Sequence, residues 1–204
     1  MIAIIDYNMG NVGSVRNAVL ALGAEVALSS KREEIEKATH IILPGVGTFG
    51  DGMARLTDSG VIPILETEVL EKKKPFLGIC LGMQVMAEFG EEGGRHKGLG
   101  WIKGQVRRLE IDEKELCLPH IGWNDVVKKT PSSLFENVIS CVFYFIHSYV
   151  LVPEEKSNII ASCAYGEKFT AAVEKDNIFG VQFHPEKSQK SGLTLLRNFL
   201  DYHA

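Results

Sequence analysis

Over roughly its first ninety residues the chain alternates short apolar runs with amphipathic stretches, and this rhythm constrains the fold more than any other feature. IAIID reads as a strand. NVGSVRNAVLAL follows as a helix that stops at Gly23, since glycine accepts the left-handed conformation that ends helices. AEVAL is a second strand and KREEIEKA a charged helix. HIILPG is a third strand running into a glycine-rich loop, GVGTFGDG. A helix is expected over VIPILETEVLEKK, then a strand, PFLGIC, that leads directly into a helix over LGMQVMAEF closed by Gly90. Strands alternating with helices specify a parallel sheet covered on both faces.

The second half carries more strand signals: GQVRRLEI, CVFYFIHSYVLV and NIIASCAY, then FTAAVEK and IFGVQF across a short polar turn. These are expected to add antiparallel strands, and SGLTLLRNFLDYH to form a last helix docked on the sheet. Neither a repeat nor a linker divides the 204 residues, which fit one domain, 1–204. The expected class is α/β, with a central, mostly parallel sheet, helices on both faces and antiparallel strands added in the second half.

A net charge of −4 argues against a broad nucleic-acid surface, and KREEIEK and EKKK read as solvated helix faces. The longest apolar runs are too short to span a bilayer. MIAIIDYNMG lacks the basic start and long apolar middle of a signal peptide, so a cytoplasmic location is expected. The cysteines form no C-x-x-C pair and the histidines are scattered, so no metal and no cofactor are called for. Cys117, Cys141 and Cys163 lie in or beside strand-like runs and are expected in the core.

Cys80 differs. It stands between Gly78 and Gly82 where a strand meets a helix, the context of a nucleophile elbow. Glycines on both sides permit a tight turn that projects the thiol, and a helix amino terminus would favour the thiolate. An isolated G-x-C-x-G equally suits a small buried hydrophobe. A second strand end, in FHPE, supplies a partner: alternate residues of an extended chain share a face, so Glu186 could hold His184 while the other ring nitrogen takes a proton from Cys80. For the oxyanion, the Leu81 N–H is one donor, and the loop Pro44-Gly45-Val46-Gly47 could provide another from Val46 or Gly47.

With these pieces placed, the whole chain resembles the class I, triad-type glutamine amidotransferases through PFLGICLGMQ and VQFHPEKS. More narrowly, through DYNMGN, LPGVGTFGDGM, LPHIGWN and YFIHSY, it resembles the glutaminase subunits of imidazole glycerol phosphate synthases. The resemblance implies a flavodoxin-like domain with Cys80, His184 and Glu186 as its triad and a thioester on Cys80. It implies that Gly47, Gln84, Ser148 and Tyr149 lie near a bound L-glutamine, and that ammonia passes to a barrel-shaped cyclase in a heterodimer. Trp123, Tyr144 and Lys187 match positions near that interface. Read without the family, Gln84 is a surface or packing residue of its helix. The loop reads PGVG where many relatives have PGG, and Asn8 stands where glycine is common. Related subunits supply ammonia to a surface-sugar synthetase. A flavodoxin-like cysteine hydrolase and a binding protein with an inert Cys80 are the remaining alternatives.

Overall fold

A computed structural model describes residues 1–203. A nine-stranded sheet runs through the molecule in the order β2-β1-β3-β4-β13-β12-β11-β8-β9. Its first five strands, β2 (Val26–Leu28), β1 (Ile2–Ile4), β3 (His40–Gly45), β4 (Phe76–Cys80) and β13 (Ile178–Val181), are mutually parallel. The other four, β12 (Glu167–Lys175), β11 (Ile159–Tyr165), β8 (His120–Lys128) and β9 (Val142–His147), continue it antiparallel.

Alternate residues of each parallel strand feed different cores. Ile2, Ile4, Ile42 and Ile79 join one cluster with α1 (Val12–Ala21) and α6 (Gln189–Leu200). Ala3, Ile41, Leu43 and Phe76 join a second with α3 (Phe49–Asp58) and α4 (Ile62–Leu65). Both faces are thus covered, which is why these strands read as unbroken apolar runs. α2 (Arg32–Lys37) contributes Ile35 to the second cluster. A separate four-stranded sheet, in the order β10 (Tyr149–Pro153), β7 (Ile102–Arg108), β5 (Ala87–Gly90) and β6 (His96–Lys97), packs on that side through Ala87, Ile102, Val106 and Leu151. Among the described residues no helix is long and apolar enough to cross a membrane.

Several expectations need correction. Half of the loop GVGTFGDG is helix: Thr48 caps α3 by accepting from Asp51 N at 3.3 Å. Gly52 lets α3 approach Leu81 closely, since a Cβ there would lie 2.9 Å from Leu81 Cδ2 and push that side chain aside. Beyond α4 the helix continues as a π turn, Glu66–Glu71. The helix expected over LGMQVMAEF is a single turn, α5 (Leu81–Gln84). Ala87–Gly90 is instead β5, because it finds backbone partners in β7 (Ile102–Arg108) and β6 (His96–Lys97). CVFYFIHSYVLV is two strands in different sheets, β9 and β10 (Tyr149–Pro153), parted at Ser148. β8 was not foreseen, since it leaves Ile121, Trp123 and Val127 exposed and never reads as an apolar run. Cys163 is buried in the core as expected, Cys141 is only half-buried and packs against the core's edge, and Cys117 is exposed because it lies on the loop before β8.

Candidate active site

The carboxyl ends of β3, β4 and β13, adjacent and parallel, bring three distant segments together. Gly45 pairs with Cys80 and Ile79 with Val181. Cys80 ends β4 at φ +55° and ψ −110°, a conformation costly for any side chain and held by its surroundings. Its flanking glycines are required by space. A Cβ at Gly82 would collide with the Leu43 carbonyl, and one at Gly78 would sit 2.5 Å from Gly82 O. The turn drives the backbone against β3 and leaves the thiol at the strand edge, 3.8 Å from Ile146 O. The one-turn α5 can offer little of a helix dipole, so polarisation of the thiol falls to its neighbours.

The main neighbour is His184. Its Nδ1 lies 2.8 Å from Glu186 Oε1, so Nδ1–H donates to the carboxylate and Nε2 is left to exchange a proton with the thiol. The shared face expected of His184 and Glu186 arises differently from the sequence argument: Pro185–Lys187 is a 3₁₀ turn, not an extended strand, and it folds the carboxylate back under the ring. Nε2 is buried without a hydrogen-bond partner. Burial opposes charge on the ring, but the adjacent Cys80 and Glu186 outweigh it, and His184 is pushed up to about 10. The constellation thus favours proton transfer from sulfur to imidazole. Phe183, stacked on Phe143 at 4.0 Å, anchors the histidine segment.

A cavity of about 320 Å³ opens beside the thiol. Val46, Gly47, Leu81, Gln84 and the segment Ile146 to Tyr149 line it together with Cys80. Gly47, at φ +110°, takes a conformation open mainly to glycine. Gln84 is buried, not on the surface, and its Nε2 donates to Tyr149 O at 2.9 Å and Gln182 Oε1 at 3.1 Å. Every residue expected near L-glutamine therefore lines this one cavity.

Further side chains that carry no clear signal in the sequence also contribute. Gln182, fully buried, donates to Cys80 Sγ at 3.7 Å; inside an apolar strand, a glutamine was its only signal. Glu92 lines the cavity and accepts from Phe49 N at 2.9 Å. It lies in the segment GEEGGRHKGLG, where nothing sets it apart from the neighbouring glutamate Glu91. Asn11 Nδ2 donates to Glu186 Oε1 at 3.2 Å across the fold. His147 donates from Nδ1 to Tyr149 O at 3.0 Å, which leaves Nε2 to accept from His120 Nδ1 at 3.1 Å. Burial depresses both rings, His120 to about 4 and His147 to about 3, so the pair is neutral at pH 7 and braces the break at Ser148.

Trp123, Tyr144 and Lys187 form one cluster beside this site. The Trp123 and Tyr144 rings meet edge-on at 6.0 Å, and Lys187 Nζ lies 5.6 Å from the Tyr144 ring centre. Tyr144 O accepts from His184 N at 2.8 Å, so the surface strand is tied to the histidine segment. Asn8 sits at φ +61°, a region asparagine tolerates, so its departure from glycine keeps the local backbone.

Known proteins share this sequence and this fold. The family profile of glutamine amidotransferase class-I matches residues 3–202. The chain is 48% identical to imidazole glycerol phosphate synthase subunit HisH 2 of Methanococcus maripaludis over 98% of each chain. It is 46% identical to subunit HisH of Zymomonas mobilis, over 99% of this chain and 96% of that one. Among solved structures, a glutamine amidotransferase superposes with a TM-score of 0.76 at 20% identity over 98% of each chain. The PurLQS structure from Thermotoga maritima gives 0.76 at 19%, over 98% and 97%; at such identities these two show the fold alone. The chain belongs to the class I glutamine amidotransferase family.

Proposed function

We propose that residues 1–204 act as the glutaminase subunit of an imidazole glycerol phosphate synthase, releasing ammonia from L-glutamine for a cyclase partner in histidine biosynthesis. One observation carries this reading: a strained Cys80 at the end of β4 faces a His184–Glu186 dyad closed at 2.8 Å, beside a cavity walled by the glutamine-side residues.

His184 Nε2 takes the thiol proton, and Sγ attacks the side-chain carboxamide carbon of glutamine. The negative oxygen so formed is met by the Leu81 N–H and by an N–H of the Val46–Gly47 loop. The C–N bond breaks as His184 returns the proton to nitrogen, giving ammonia and a thioester on Cys80. Water, deprotonated by His184, adds to the thioester; the thiol leaves with that proton and glutamate is released. Gln84, Ser148 and Tyr149 position the substrate, and the Glu92 carboxylate suits its α-ammonium. Neither metal nor cofactor enters these steps. The Trp123–Tyr144–Lys187 surface supports docking of a barrel-shaped cyclase as a heterodimer, since the exposed Trp123 ring beside the half-buried Tyr144 suits an interface anchor. A cytoplasmic setting follows from that pathway.

The test is glutamate production by the chain alone, then with its organism's cyclase subunit and the ribotide substrate. A large rise on mixing that Cys80→Ser abolishes is expected. Glutamine turnover that the cyclase fails to stimulate would keep the chemistry and move the ammonia to another acceptor, such as a surface-sugar synthetase. Absence of any Cys80-dependent turnover would refute the glutaminase reading.

A further inference from the structure

A second cleft, of about 260 Å³, lies where β10 and Arg107 of the smaller sheet cross β11 and β12 of the larger one. Its rim holds four cations: Arg107, Lys129, Lys156 and Lys168. Arg107 is neutralised by Glu167, whose oxygens accept from it at 2.6 and 2.7 Å. Among the described residues, Lys129, Lys156 and Lys168 form no ion pair, in a chain whose net charge is −4. Three ammonium groups without a carboxylate partner, of which Lys156 also donates to Pro153 O at 3.5 Å, repel each other around one concavity and raise the local positive potential.

The floor is polar as well. Ser162 and Thr170 are cross-strand partners, so they share a face, and Lys168, two residues before Thr170, shares it too. Both hydroxyl residues line the cleft. Ser162 is 98% buried, its relative exposure being 2%, yet its Oγ has no hydrogen-bond partner. A buried hydroxyl between two sheets is uncompensated unless something in the cleft bonds to it, because burial strips its water.

We propose that this cleft binds a small, multiply charged phosphate-bearing anion, with Lys129, Lys156 and Lys168 holding the charge and Ser162 and Thr170 donating from below. The volume falls below the roughly 300–1,000 Å³ of drug-sized ligand sites and suits a diphosphate or a sugar phosphate rather than a nucleotide. β10 forms one wall and leads directly from Tyr149, but the glutamine cavity is otherwise separate. The proposal is independent of the glutaminase reading.

The experiment is calorimetric titration of the full chain with pyrophosphate, and separately with ribose 5-phosphate, against sodium chloride of equal ionic strength. Saturable binding is expected. Binding of both probes identifies a phosphate ester as an acceptable occupant, whereas binding of pyrophosphate alone assigns the cleft to inorganic anions. Lys129→Gln with Lys168→Gln, both at exposed positions, should weaken binding by at least about tenfold, since a hydrogen bond to a charged group is worth that much. Ser162→Ala should also weaken it, while leaving the anion-free melting temperature unchanged or higher, because an orphaned hydroxyl is removed. No saturable binding, or binding that survives the double lysine substitution, would overturn the assignment.

Discussion

Glu186→Gln offers a measurement whose size is set by one unusual detail. Glu186 Oε1 accepts from both His184 Nδ1 at 2.8 Å and Asn11 Nδ2 at 3.2 Å, while Oε2 is buried without a partner. An amide in place of the carboxylate can keep its oxygen between the same two donors and put its NH₂ where Oε2 was. The imidazole then retains its tautomer and loses only the charge that stabilises it when protonated. A charge-assisted hydrogen bond contributes about 1.5–3 kcal/mol, so kcat for glutamate release should fall roughly 10- to 150-fold. Glu186→Ala, which removes the orienting group altogether, should cost about 10³–10⁴-fold, as loss of ring orientation does in related triads. The assay is the initial rate at saturating glutamine with the cyclase partner present. Adding Asn11→Ala to Glu186→Gln frees the amide to turn its NH₂ toward Nδ1, and the rate should drop toward that of Glu186→Ala. If Glu186→Gln alone were already as inactive as Glu186→Ala, the amide would have turned despite Asn11, and the positioning role given to Asn11 would be wrong.

Other consequences are open to direct test. Because Cys80 sits at φ +55°, Cys80→Gly should be inactive yet more stable than Cys80→Ala by about 1–2 kcal/mol in urea unfolding, the reverse of the usual order. Gly82→Ala forces a methyl group into the Leu43 carbonyl and should lower stability by about 3 kcal/mol or prevent folding, read from the same curves. His184 is raised from its ordinary 6.5 to about 10, so its stabilising contribution is complete below pH 6.5 and is lost as pH rises toward 10. The unfolding free energy of the wild type minus that of His184→Asn should therefore decline across that window, and a flat difference would contradict the raised value. Iodoacetamide at pH 7.5 should label Cys80 and the exposed Cys117 but spare Cys163, which burial pushes up to about 12; mass spectrometry of tryptic peptides would show the pattern.

The alternation of apolar runs and amphipathic stretches was enough to specify a parallel sheet with helices on both faces, because strand and helix periods are local properties of the chain. The placement of Cys80 at a strand end, and of His184 and Glu186 just beyond one, was legible for the same reason, each lying where an apolar run meets a glycine or proline. Legibility failed where nonlocal partners decided the outcome. Ala87–Gly90 carries a helical pattern but extends because β7 and β6 offer it backbone bonds, and Gly50 and Gly52 resemble loop residues although they lie in the first turn of α3. Register did the rest. The pairings of Gly45 with Cys80 and Ile79 with Val181 fix which side chains meet at the sheet edge. Only that convergence could place Asn11 on Glu186, 175 residues away, and Gln182 on the thiol, 102 residues away. Sequence periodicity determines which face a residue presents, but which other residue it meets there depends on strand order and register, and these arise only when the whole sheet assembles.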